Sequence, residues 1–148
     1  MARKDFQRLK VLVVDGSGHM RDVLRRHLYA LTIGNVREAA TAKEGLRLLG
    51  EFTPDLIICG LEPERRGGLE LMARLRAGIA GVDPLAPVIT VTGAIDVVEV
   101  RALCEAGADA VLPTPVLLRR LYLAVVDALD RSCGACAPAQ GEREAETQ

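Results

Sequence analysis

Tryptophan is missing from this 148-residue chain, and its only aromatic side chains are Phe6, Phe52, Tyr29 and Tyr122. So few rings exclude a stacking platform for single-stranded nucleic acid. Neither sign of charge prevails: 19 Lys and Arg stand against 20 Asp and Glu, for a net charge of −1. A nucleic-acid partner, which calls for a clearly basic domain, is not expected. No apolar run approaches the ~18 residues of a membrane span. The first ten residues, MARKDFQRLK, lack the apolar centre of a signal peptide. No membrane partner is expected, and a cytoplasmic location is. Lysine is scarce, 3 residues against 16 Arg, which reads as compositional bias and not as a binding device. Cysteine is limited to four residues, expected to be free thiols in a cytoplasmic chain. What remains is globular in profile, 49% hydrophobic and 26% charged. The length suits one domain. A chain of this size buries roughly 70% of its unfolded surface and needs no disulfide or metal staple.

Apolar runs and helix-period segments alternate along the chain. Residues 9–14, LKVLVV, form a β-branched run that ends in the turn cluster Asp15-Gly16-Ser17-Gly18. Over 20–31, Met20, Val23, Leu24, Leu28 and Leu31 keep a helical period, with Arg21, Asp22, Arg25 and Arg26 on the other side. Further strands are expected at 35–39, after Pro54 through Gly60, after Pro87 through Thr92, and at 110–112. Helices are expected to 49 from a cap at Thr41, with Glu44 in capping-box position, and at 67–77, 95–106 and 116–129. Strands apolar on both faces belong to a parallel sheet covered by helices on both sides. With right-handed crossovers, the fold class is α/β, a doubly wound five-stranded parallel sheet flanked by five helices. Ligands and chemistry in such folds sit at the carboxyl ends of the strands. Residues 1–131 are read as the domain. Residues 132–148, which hold no large apolar side chain, are read as a disordered tail.

The order of several landmarks is similar to that of the bacterial response-regulator receiver domain, the CheY-like fold with strand order 2-1-3-4-5. The landmarks are VLVVD…S…MR, NVREA, PDLII…GLELM…LR, PVITVTG and AGADAVLPTP. The resemblance implies two-component, phosphorelay signalling and no enzymatic activity of its own. It also implies a site with two acidic residues after the first strand that help hold Mg²⁺. An acceptor Asp ends the third strand, a Thr or Ser ends the fourth, and a Lys precedes Pro at the fifth. Carboxylates suit Mg²⁺, and metal and Lys neutralise the charge of the transferring group. Laid on this chain, Asp15 and Thr92 are retained. The second acidic position is Gly16, the acceptor position is Gly60 and the Lys position is Thr114. Glycine offers no side chain to phosphorylate. The expected function is thus a degenerate, phosphorylation-independent receiver, without a cofactor and with weak or absent Mg²⁺ binding.

Other readings stand beside this one. Asp15 is either a residual metal ligand or a residue that caps the first helix or bonds its loop. Gly16, Ser17 and Gly18 form either a turn or an anion cradle. The cradle would make the chain a flavodoxin-like small-ligand or anion-binding module. Cys59, Glu62 or Glu64 could stand in as an acceptor. Arg65 and Arg66 either cover the site or lie in solvent. His19 and His27 read as a surface pair. Cys133 and Cys136 have redox spacing but lie in the tail and not at a helix start. Residues Ile95 to Cys104 carry more apolar side chains than one helical face can bury, which marks a contact surface. The resemblance places partners on the face of the fourth helix, fifth strand and fifth helix. Val97, Val100 and Val111 are expected there, Val111 in place of a switching aromatic. Expected partners are a histidine kinase or a downstream effector, or a second copy of the chain.

Overall fold

Five β–α units follow one another in the computed structural model, which describes residues 5–61, 65–93 and 96–130. The strands are β1 (Lys10–Val14), β2 (Asn35–Ala39), β3 (Leu56–Gly60), β4 (Val88–Thr92) and β5 (Ala110–Pro113). The helices are α1 (Gly18–Ala30), α2 (Ala42–Phe52), α3 (Arg65–Ala77), α4 (Val97–Glu105) and α5 (Leu118–Asp130). All strand pairs are parallel, in the order β2-β1-β3-β4-β5. This is the doubly wound α/β sheet anticipated from the apolar alternation.

Every residue of β3 and β4 is buried, whereas edge strand β2 alternates exposed and partly buried positions. Successive side chains of a strand point to opposite faces, so the sheet feeds two cores. Leu12, Val14, Ile57, Cys59, Val88 and Val111 pack with Leu49, Leu71, Leu75, Val100 and Leu103, under α2, α3 and α4. Val11, Val13, Ile58, Ile89, Val91 and Leu112 pack with Leu24, Leu28, Leu121 and Val125, under α1 and α5.

Local chemistry sets the helix ends. Thr41 Oγ1 accepts the Glu44 N–H at 3.1 Å, as the capping box predicts. Glu44 answers one residue earlier than the motif requires, at the Ala40 N–H. The helix runs on to Phe52 because Leu48, Leu49 and Phe52 continue its buried face. Helix α4 is shorter than expected. It begins after Asp96, whose carboxylate accepts the Glu99 N–H at 2.8 Å.

A guanidinium ties the lower half of the sheet together. Arg76 donates to the carbonyls of Pro84, Ala86 and Gly107 and pairs with buried Asp109 at 3.1 Å. Asp109 also accepts the Val88 N–H at 2.9 Å. Gly107 has φ +118°, and an added Cβ would stand 2.9 Å from Arg76 Nε. A glycine is required there both for the backbone and for the space.

Candidate functional site

The carboxyl ends of β1, β3, β4 and β5 bring together four residues singled out from the sequence. Asp15 follows β1, Gly60 closes β3, Thr92 closes β4 and Thr114 follows β5. Backbone hydrogen bonds hold these ends in register. Leu61 N–H donates to the Val91 carbonyl at 2.9 Å, and Thr114 N–H to the Thr92 carbonyl at 3.3 Å. Thr92 is fully buried and Asp15 is 3% exposed, while Thr114 is half-buried.

One approach distance dominates the site. A Cβ built on Gly60 would lie 1.7 Å from Asp15 Oδ2 and 2.5 Å from its Cγ. The Asp15 carboxylate therefore fills the space that any side chain at position 60 would need. It is firmly held there. Asp15 Oδ1 accepts the Ser17 N–H at 2.8 Å, its carbonyl accepts from Arg21 Nη1 at 2.7 Å, and its N–H donates to the Ala39 carbonyl at 3.0 Å. Of the readings open for Asp15, its hydrogen bond is the loop-bonding one. The cap of α1 is Ser17, whose Oγ accepts the Met20 N–H at 3.1 Å. Two N–H groups that a phosphate cradle would use, those of Ser17 and Met20, are thus occupied within the chain. A buried carboxylate also stands beside them. The sequence reading missed Arg21 as a positioning residue. Its signal was a cation one turn into the helix, next to Glu38 on the neighbouring strand, with which it pairs at 3.5 Å.

Cys59 is fully buried and free. Burial, and secondarily the charge of Asp15, pushes its thiol up to about 12. The nucleophilic form is the thiolate, so Cys59 is inert at neutral pH. Among the described residues, the donors at the strand ends do not fit a divalent metal. Gly16 and Gly60 supply no side-chain oxygen, and one oxygen of Asp15 is engaged by Ser17. Among the described residues no group of three or more His, Cys, Asp or Glu could hold a metal ion. Hard oxygen-seeking cations need several such ligands.

The sequence profile of the response regulator receiver domain matches residues 11–126. The chain belongs to the response regulator receiver domain family. Curated relatives of this receiver include the response regulator MprA of Mycolicibacterium vanbaalenii, 35% identical over 113 residues. That match covers 76% of the chain and 47% of MprA. The transcriptional regulatory protein GlrR of Escherichia coli is 34% identical over 109 residues, covering 74% of the chain and 23% of GlrR. The receiver chain thus spans about half the length of MprA and a quarter of GlrR. Among solved structures, a candidate response regulator from Chloroflexus aurantiacus superposes with a TM-score of 0.73 at 29% identity. That match covers 83% of this chain and 98% of that one. The N-terminal domain of an uncharacterized protein from Wolinella succinogenes superposes with a TM-score of 0.66 at 30% identity, covering 80% and 92%.

Two residues expected on the receiver's partner face are not surface residues. Val111 is fully buried and Val100 is 5% exposed. Strand alternation turns Val111 toward α4, and Val100 with Leu103 covers it. Val97 is exposed as expected, at 61%, and neighbouring Val98 more so. Leu117, Leu118 and Tyr122 add exposed apolar surface at the start of α5. Tyr122 also meets Phe6 edge to face. His27 is not merely a surface residue. Its Nε2 bonds the Val116 carbonyl at 2.9 Å and ties α1 to the start of α5. Cys104, near the end of α4, is disulfide-bonded, which corrects the expectation of four free thiols. Arg66 is exposed on α3. Glu62, Glu64, the Arg65 side chain, Ile95, Cys133 and Cys136 lie outside the described residues. No helix among the described residues is long and apolar enough to cross a membrane.

Proposed function

We propose that this receiver works by protein contact and takes no phosphoryl group at its strand-end site. Gly60 stands at the acceptor position, Gly16 at the second acidic position and Thr114 at the lysine position. The reading rests above all on the 1.7 Å approach of Asp15 Oδ2 to the point where an acceptor's Cβ would be. The acceptor side chain is gone, and the neighbouring carboxylate has taken its volume. Thr114 brings a hydroxyl where an ammonium would neutralise charge, so position 114 does not compensate a transferring phosphoryl group. Incubation with acetyl phosphate and Mg²⁺, followed by intact mass, is expected to show no gain. A stable phosphoryl adduct on Asp15 or on any other carboxylate would overturn the reading.

The contact surface draws on Val97 and Val98 of α4 and on Leu117, Leu118 and Tyr122 at the start of α5, all of them exposed. Fully desolvating two such valines contributes ~3 kcal/mol before ordering costs. The partner is a histidine kinase or a downstream effector of a two-component system, or a second copy of the chain. Because Val111 is an enclosed β-branched residue, with no ring to swing between rotamers, the surface is permanently set and not switched. The mass of the particle in solution, measured for the unaltered chain and for Val97→Glu, tests the second-copy case. A dimer that Val97→Glu leaves intact would place self-association elsewhere.

A further inference from the structure

Two grooves at the amino end of the sheet are left unused by the strand-end site. Helix α1 starts beside the strand-end rim and runs back along the sheet, so its last turn and the first residue of β2 lie at the opposite end. Tyr29 stands there, 73% exposed, and it lines both grooves. One groove, of about 540 Å³, lies between Tyr29 and the amide side chains of Gln7 and Asn35, and every residue lining it is uncharged. The other, of about 420 Å³, lies between Tyr29 and the guanidinium groups of Arg25 and Arg26. These arginines precede Tyr29 by four and three residues, one helical turn, so cations and ring share a face of α1. Arg25 pairs with Asp22 and, at 2.9 Å, with Glu38. Arg26 gives Nε to Asp22 at 3.1 Å and its side chain is otherwise exposed, which leaves its two Nη groups for a ligand. Arg21 also pairs with Glu38, so three guanidinium groups meet two carboxylates, with one positive charge in excess.

We propose that the two grooves together bind one nucleoside monophosphate, its base against Tyr29 and the two amides and its phosphate on Arg26 and Arg25. An exposed ring offers a base a stacking face. A side-chain amide carries an acceptor and donors side by side, which matches a base edge that sets a donor beside an acceptor, as adenine does. A guanidinium fork takes two phosphate oxygens at once. The ring lies close to the backbone of Gly34, where an added Cβ would stand 3.5 Å from Tyr29 Cε1. It is therefore largely placed before a ligand arrives, which lowers the ordering cost. Both grooves have the size of small-molecule sites. A docked helix needs an apolar stripe, and a second copy needs about 800 Å² on each side. Of the lining, Tyr29 and Ala30 supply the apolar side chains, too few for either. The proposal does not depend on whether the strand-end site takes a phosphoryl group.

The test is titration of the full, isotope-labelled chain with AMP, read by backbone amide shifts and by calorimetry, with adenosine and inorganic phosphate as separate probes. AMP is expected to saturate and to shift the amides of Gln7, Arg26, Tyr29 and Asn35 most. It should bind about tenfold tighter than adenosine or phosphate alone, because one molecule engages both grooves. Tyr29→Ala should weaken AMP about tenfold, and Tyr29→Phe, which keeps the ring, far less. Arg26→Ala should weaken AMP and leave adenosine unchanged, and Arg26→Lys should recover only part of the loss. Asp22→Asn frees both guanidinium groups and should tighten AMP about threefold. Tyr29 and Arg26 are exposed, so their variants keep the fold. No saturable shift with millimolar AMP would overturn the proposal. So would the largest shifts falling on the loop from Asp15 to Gly18. AMP and inorganic phosphate binding equally, with Tyr29→Ala neutral, would reduce the site to simple attraction of anions and overturn it too.

Discussion

At position 60 a single missing side chain reorganises its neighbour. A glycine at the end of a buried strand leaves room beside it, and a dense interior does not tolerate a hole. Asp15 closes it while retaining a backbone N–H donor for its charge. Gly60→Ala should therefore be destabilising, by about 1–3 kcal/mol, since the Asp15 carboxylate must swing away and break its bond to Ser17. Urea unfolding measures this. Pairing it with Asp15→Gly should recover part of the loss, and a neutral Gly60→Ala would refute the steric account. Gly60→Asp alone meets the same carboxylate and gains neither a second acidic residue nor a lysine. Restoring phosphorylation thus calls for Asp15 to be re-seated along with Gly16→Asp, Gly60→Asp and Thr114→Lys. In an acetyl phosphate assay, Gly60→Asp should stay unmodified under conditions that modify the triple variant. Beside it, Cys59 offers a titration readout. Its thiol ionises at about 12 in the fold against 9.0 when unperturbed. The unfolded chain therefore releases this proton first. The stabilising contribution is whole below pH 9 and is lost as pH rises toward 12. The unaltered chain should lose stability relative to Cys59→Ala across that window.

Among the elements, α4 separates core from surface most sharply. Val97 and Val98 are exposed, whereas Val100 and Leu103, one turn on, are buried. Val97→Glu should leave the thermal midpoint nearly unchanged. Val100→Glu puts a carboxylate into the core over Val111 and should cost about 3 kcal/mol or more. Thermal melts of the two variants distinguish them, and equal midpoints would mean that the helix is rotated from its described position. Loss of the Arg76 contacts acts on three elements at once. Arg76→Ala strands the carbonyls of Gly107 and Ala86 and the Asp109 carboxylate, at a cost of about 3 kcal/mol. Arg76→Lys should recover little, because one ammonium cannot reproduce a fork of donors aimed at four oxygens. Full rescue by lysine, measured by urea unfolding, would show that charge and not geometry matters there.

For the molecule as a whole, the two-sided sheet accounts for what the chain retains and, on the proposed reading, for what it has given up. Its receiver fold depends on apolar strands and helix faces, which are intact from β1 to α5. On the proposed reading, the signalling chemistry of the family depends on a few polar residues at one rim, and Gly16, Gly60 and Thr114 stand at three of those positions. Fold and phosphosite are separable because the rim residues contribute little apolar burial. The chain spans about half of MprA and a quarter of GlrR.

The parallel sheet and the residues at the strand ends were readable from residues 9–129 alone, whereas the strand order came only with the resemblance to the receiver family. Period and punctuation are local, and five apolar runs bounded by turn residues admit few other packings. Thr41 announced its own helix start for the same reason. Side-chain direction was less legible. An apolar stretch such as Val97 to Leu103 does not state which valine faces the sheet, and that rotation is set when α4 docks on β5. Neither could composition show that Asp15 occupies the volume beside Gly60. Forty-five residues separate the two, and their contact exists only because β1 and β3 are neighbours in the sheet. The bonded state of Cys104 belongs with these, since a disulfide needs two chain segments to meet in space.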